Sequence, residues 1–264
     1  MLFNFTLAPL ERIEPWGFPE EYRLHWFGLT EGEYWLEAGD SRLLEYSEQA
    51  RREDGMSRYC EYQVARLYED VMEMAPDVLE PVPAALVRCI SGESGRRWWE
   101  MFCSWYADRE DDPPMDIVGA VNEWRRKRLL DTLYLTPGAN IYLWSDEAMV
   151  HIEWDNRGEL IGGRPAWSAE CGSWELRRED FENEVRSFHE RLMEQMGERV
   201  EAVAGGALRA LRPEVYVDLE QLQNEHRQRC GTMERAFSAP RVPEDWGAVE
   251  EAVREVERGR RGGG

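Results

Sequence analysis

Seven apolar residues, Phe181, Val185, Phe188, Leu192, Met196, Val200 and Val203, recur at intervals of three and four or their sum. That spacing lines one face of a long helix near 178–203, and the stripe has to be buried against another layer. The segment before it carries a different period. Residues 141–144 and 149–154 flank Ser145-Asp146-Glu147, and Asp155-Asn156-Arg157-Gly158 turns the chain towards Leu160-Ile161. Gly162-Gly163 then leads to 166–169 and, past Gly172, to 174–176, which reads as a meander of four or five short strands. Strand-like runs also occupy 2–7, 24–29, 34–38 and 43–46, with turn-formers such as Pro15-Trp16-Gly17 and Gly39-Asp40 between them. The expected fold class is α+β: antiparallel sheets, an N-terminal set and a C-terminal-half meander, packed against several helices.

Further helices follow from spacing. Cys60, Val64, Leu67, Val71 and Ala75 form one stripe, with Pro76 as its stop. Trp98, Trp99, Phe102, Cys103, Trp105 and Tyr106 place aromatics around much of another helix, the mark of a buried one. Asp116 is placed to cap a helix over 117–130. Leu219, Leu222, His226, Cys230, Met233 and Phe237 make one more stripe, and 244–257 a short amphipathic helix. The charged, proline-broken stretch 108–116 marks an internal boundary. It gives an N-terminal lobe (1–112), a C-terminal lobe (113–238), and a short helix with a disordered basic tail (239–264).

The 264 residues carry a formal charge of −21, divided as −13 over 1–112 and −8 over 113–264. The excess therefore belongs to the folded surface. It argues against a general nucleic-acid binder, whose affinity comes from cations on phosphate. Twelve tryptophans exclude an acidic disordered polymer. No run approaches eighteen apolar residues, and the start lacks a basic residue ahead of its apolar run, so neither a membrane helix nor a signal peptide is expected. Five cysteines, odd in number and never in C-x-x-C, point to free thiols in the cytoplasm, with Cys103 and Cys230 inert on packed faces. Thirty-one arginines against one lysine, Lys127, point to a GC-rich bacterial genome.

No nucleotide-binding glycine motif, H-E-x-x-H or G-x-S-x-G occurs, and no catalytic residue, metal or cofactor is assigned. Three low-specificity constellations remain as binding candidates. His151, Glu153 and Asp155 alternate and so share one face of a strand, although any half-buried strand alternates in this way. Arg96 and Arg97 end a Ser/Gly loop, 91–97, which could hold an anion at a helix start or simply be capped by Ser94. His25 and Trp26 are the third, singled out only by the family resemblance that follows. Arg125-Arg126-Lys127-Arg128 points all round its helix, so it is expected as a solvated helix end paired with the protein's own carboxylates. His189 and His226 are expected as buried, hydrogen-bonded histidines.

Glu14-Pro15-Trp16-Gly17, then Leu24-His25-Trp26-Phe27-Gly28-Leu29-Thr30, resembles the opening of a bacterial, mainly actinobacterial, domain family of unknown function. Ile141-Tyr142-Leu143-Trp144, Val150-His151-Ile152-Glu153-Trp154-Asp155-Asn156 and Phe188-His189-Glu190-Arg191-Leu192-Met193 extend the likeness over roughly 1–238. The resemblance implies no activity, and no catalytic residue carries over from it.

The first functional expectation is a non-enzymatic interaction protein, immunity- or antitoxin-like, that holds a basic protein partner: carboxylates steer and tryptophans anchor. The alternatives are an enzyme or small-ligand protein with a polar cleft between the lobes, and a DNA-mimic inhibitor. No membrane association is expected, and the oligomeric state is not legible.

Overall fold

The computed structural model describes residues 1–18, 21–108 and 114–262. An eight-residue strand, β2 (Glu31–Ala38), organises the N-terminal sheet. It pairs antiparallel with β1 (Phe3–Leu7) on one side, and on the other with β3 (Ser41–Leu43) and β4 (Cys60–Gln63) in succession. Its alternation is strict: Gly32, Tyr34, Leu36 and Ala38 are buried and the residues between them are not. After α1 (Glu48–Glu53) and β4 comes α2 (Val64–Val78). This helix runs through Pro76, contrary to the expected stop. Pro76 lies in the last turn, where it costs one backbone bond, and Ala75 and Val78 on either side are fully buried.

The second half supplies a three-stranded antiparallel sheet in the order β5 (Ile141–Ser145), β6 (Met149–Asp155), β9 (Cys171–Arg177). A two-stranded hairpin, β7 (Leu160–Ile161) with β8 (Arg164–Pro165), projects between β6 and β9. Residues 166–169 are not a strand; Trp167 only bridges to Tyr46, with its ring stacked 4.7 Å from the tyrosine's. The region 24–29 is likewise irregular, ending in a 3-10 turn at Gly28–Thr30, and the Leu24 N–H donates to the Tyr216 carbonyl at 3.1 Å.

The long helix is α6 (Arg178–Ala204), and all seven residues of its stripe are buried. It lies across β1 and α2, where Phe188 stacks on Phe3 at 5.5 Å and tilts against Phe5 at 5.7 Å. Arg191 donates to the Phe3 carbonyl at 2.6 Å, and Arg199 to those of Leu29 and Ala8, each at 2.7 Å. These arginines satisfy backbone acceptors that no strand pairs. α7 (Ala207–Leu211), α8 (Leu219–Cys230) and α9 (Thr232–Ser238) complete this layer, the expected single stripe being broken at Gly231.

A second apolar cluster lies on the other side of the three-stranded sheet. It gathers α3 (Ala84–Val87), α4 (Gly92–Ala107), α5 (Met115–Arg126) and α10 (Trp246–Gly262) around Trp98, Phe102, Trp105, Val121, Trp124 and Val253. Ile141 and Leu143 of β5 face the first cluster, whereas Tyr142 and Trp144 face the second. The 258–262 part of the expected disordered tail is helical. The valine stripe of α10, Val249, Val253 and Val256, is buried in the second cluster and holds the helix that continues to 262. The rest of that tail, 263–264, and the boundary residues 109–113 lie outside the described residues. Among the described residues, no helix is long and apolar enough to cross a membrane. The protein is α+β, with antiparallel sheets against several helices.

Removing Phe188, which touches β1 from α6, leaves a cavity between layers. Phe188→Ala should cost about 3–5 kcal/mol in urea denaturation, while Glu194→Ala on the exposed face of α6 should stay within about 0.5 kcal/mol.

Candidate functional site

Strand β6 sends Val150, Ile152 and Trp154 into the first core and His151, Glu153 and Asp155 to the opposite face, as its alternation requires. The three do not form one cluster. His151 stacks on Trp144 at 4.1 Å and places Nε2 3.0 Å from Asp146 Oδ2. The Asp146 carboxyl is held down to about 2, chiefly by the Met149 backbone N–H and then by His151. Glu153 is turned instead towards α4. It accepts from Ser91 Oγ at 2.8 Å, from Trp144 Nε1 at 3.1 Å, and from the backbone N–H of Gly92. The expected Ser/Gly loop is therefore the first turn of α4, and Ser94 does not cap it; its hydroxyl donates to the Ser91 carbonyl. The anion at this helix start is the chain's own carboxylate.

Asp155 receives two hydrogen bonds from Arg157, at 2.8 and 2.6 Å, and lies 3.7 Å from Arg96 Nε. Those bonds hold its carboxyl below the usual range. Arg96 is also paired with Glu93 and Glu100, and the more exposed Arg97 with Glu93 at 3.1 Å. Arg96, Glu153 and Asp155 thus meet on one cleft of about 830 Å³ between α4, α5 and the β6–β9 end of the sheet. The basic run of α5 departs from its expected role. Arg126 and Lys127 do pair with Glu123, but Arg125 and Arg128 are buried. Arg128 donates to the carbonyls of Trp124 and Glu80 and lies over the Trp246 ring.

His25 and Trp26 lie far from this cleft in the chain and do not line it. Trp26 is fully buried, with Nε1 donating to His226 Nδ1 at 3.3 Å and the Arg229 guanidinium 4.3 Å over its ring. His25 accepts the Gly28 N–H at 3.4 Å and meets Trp16 edge-on at 4.5 Å. Beside it, residues 16 and 23 exchange backbone bonds at 2.9 Å, and Tyr216 bridges the same segment, its N–H donating to the Tyr22 carbonyl and its carbonyl accepting from the Leu24 N–H. On these segments Trp16, Phe18 and Tyr216 are 45%, 79% and 60% exposed. The same stretches carry exposed Glu11, Glu14, Glu21, Glu214 and Asp218 against exposed Arg12 and Arg23.

Two arrangements escaped sequence reasoning. Cys230, expected on a packed face, is exposed, as is Cys103; Cys230 Sγ lies 3.7 Å from His226 Nε2. The i, i+4 spacing was the available signal. This pair does not make a nucleophile and its base. The Trp26 donor occupies Nδ1, so the neutral ring carries its proton on Nε2 and can only donate to the sulfur. The second is Asp70, whose Oδ2 is buried without a hydrogen-bond partner beside a cavity of about 480 Å³. Arg66 bridges Asp70 and Asp131, and the hydroxyls of Tyr34 and Tyr134 meet at 2.9 Å. Burial pushes the Asp70 carboxyl from 3.8 up to about 7.

Between those two values the folded protein holds a proton that the unfolded chain has released, so this group lowers stability as pH rises from about 4 to 7. Asp70→Asn should remove that loss. Urea midpoints measured at pH 4.5 and 7.5 should show the variant gaining about 1–3 kcal/mol on wild type at the higher pH.

Comparison with known proteins gives a family. The family described as Family of unknown function (DUF5984) matches residues 2–252, further than the resemblance over 1–238 and well into α10. No curated protein and no solved structure matches the chain. With 2–252 spanning both apolar clusters and every element from β1 into α10, the chain belongs to the Family of unknown function (DUF5984).

Proposed function

We propose that this protein is a non-enzymatic interaction module that holds a basic protein partner against the face formed by Trp16, Phe18 and Tyr216. The observation that carries this reading is the exposure of those three rings on adjoining segments, among carboxylates that outnumber the nearby arginines. Large rings left in water give a partner desolvated anchors, while the surrounding carboxylates and the net charge of −21 draw in cations. Arg23 stands over the Tyr216 ring at 6.0 Å, so a cation on this face already has an example within the chain. The backbone here is fixed by paired bonds, which limits the ordering cost of binding.

A neutraliser of the immunity or antitoxin kind works by occupation alone and would need nothing else from this surface. Five unpaired cysteines suit the same protein to a reducing cytoplasm.

The test is capture by the full chain, followed by affinity measurement at several salt concentrations. A basic protein should bind, and its affinity should fall steeply between 50 and 300 mM salt. Phe18→Ala with Tyr216→Ala, the two most exposed rings, should weaken it by at least about tenfold with little change in melting temperature. Salt-independent binding, or binding that survives the double substitution, rejects the reading.

A further inference from the structure

We infer that the cleft between α4, α5 and the three-stranded sheet is a binding site for a small organic anion: an oxyanion, carboxylate or phosphate, carried on a flat ring. The inference starts from Arg125 in the last turn of α5. This residue is 4% exposed and lines the cleft. Its guanidinium donates to the Cys89 carbonyl and, at 3.3 Å, to Tyr142 Oη, and its Nε has no hydrogen-bond partner. Among the described residues, no carboxylate lies within ion-pair distance of it. A buried cation held only by neutral acceptors is an electrostatic deficit that an anion in the cleft would fill.

Of the other charges lining the cleft, Glu93 and Glu100 pair with Arg96, and Glu153 is held by neutral donors, two of them at the start of α4. Asp155 is held by Arg157 and Arg96. Arg125 is therefore the cleft's one guanidinium without a carboxylate partner among the described residues, and a ligand reaches it through the guanidinium's outer edge beside Trp99 and Tyr142. The walls specify the rest of the ligand. The Arg125 guanidinium lies 4.8 Å from the centre of the Trp99 ring and 5.1 Å from that of Tyr142. A planar group entering beside it meets an indole and a phenol. A cleft of about 830 Å³ accommodates a molecule of nucleotide or aromatic-acid size. Glycine at 172 lets the Trp154 ring pack directly on the backbone of β9, where a Cβ would collide with it. Arg96 and Arg157 at the rim could exchange Asp155 for a second oxygen of the ligand.

The full chain is titrated separately with salicylate, adenosine monophosphate and inorganic phosphate at low salt, followed by calorimetry and tryptophan fluorescence. Salicylate or adenosine monophosphate should bind at one site with quenching, and whichever binds tells a carboxylate ligand from a phosphate one. Arg125→Met should weaken that binding by about tenfold or more, as loss of a charge-assisted bond implies. Arg125 is buried, so Trp99→Ala, at a partly exposed position, provides the second variant; it should weaken the ring ligands by about tenfold, with circular dichroism checking that the fold survives loss of the contact with Phe102. The inference is overturned if neither ring ligand saturates below about 10 mM, if inorganic phosphate binds as well as both, or if Trp99→Ala leaves the affinity intact.

Discussion

The structure depends on one strand, β5, whose two faces belong to different apolar clusters. Ile141 and Leu143 enter one apolar cluster and Tyr142 and Trp144 the other, while β6 adds Val150, Ile152 and Trp154 to the first and turns His151, Glu153 and Asp155 to the opposite face. A sheet with one wet face can carry charge on that face at no cost. Here the face bearing His151, Glu153 and Asp155 has to receive helices, and each polar group on it needs a partner. Glu153 shows how this is met: one carboxylate takes the indole N–H of its own sheet together with two donors from the start of α4. The helix N-terminus is thereby held against the strand, and the strand's charge is satisfied by the helix.

Much of this architecture is legible in the sequence because it is periodic. The α6 stripe, the alternation of β2 and β6 and the aromatic face of α4 are local patterns, and burial follows them. The departures come where residues chosen for close packing look like residues chosen for flexibility. Gly95 reads as part of a loop, yet it is a helical residue pressed against Ile90, where a Cβ would collide with the backbone. Pro76 reads as a stop, but tertiary packing of Ala75 and Val78 outweighs one missing backbone bond.

The candidate residues were legible by position and not by partner. Alternation correctly put His151 beside Glu153 on one face; it could not show that Trp144 claims the first and α4 the second. Trp26 and His226 are 200 positions apart, and only the folded chain joins them. Arg125 and Arg128 were hidden in a run of four cations, since spacing alone does not tell a solvated helix end from one whose inner side carries two buried guanidinia.

Helix α10 gives the second cluster a property in time as well as in space. Val249, Val253 and Val256 complete a core whose other walls, α3 to α5, are made more than a hundred residues earlier. During synthesis, Trp98, Phe102 and Trp105 leave the ribosome long before their cover. The first cluster has the same delay, because β1 waits for α6 and the Leu2 N–H for Glu184. A chain that emerges steadily therefore closes its two cores in a fixed order, the α6 layer and then α10.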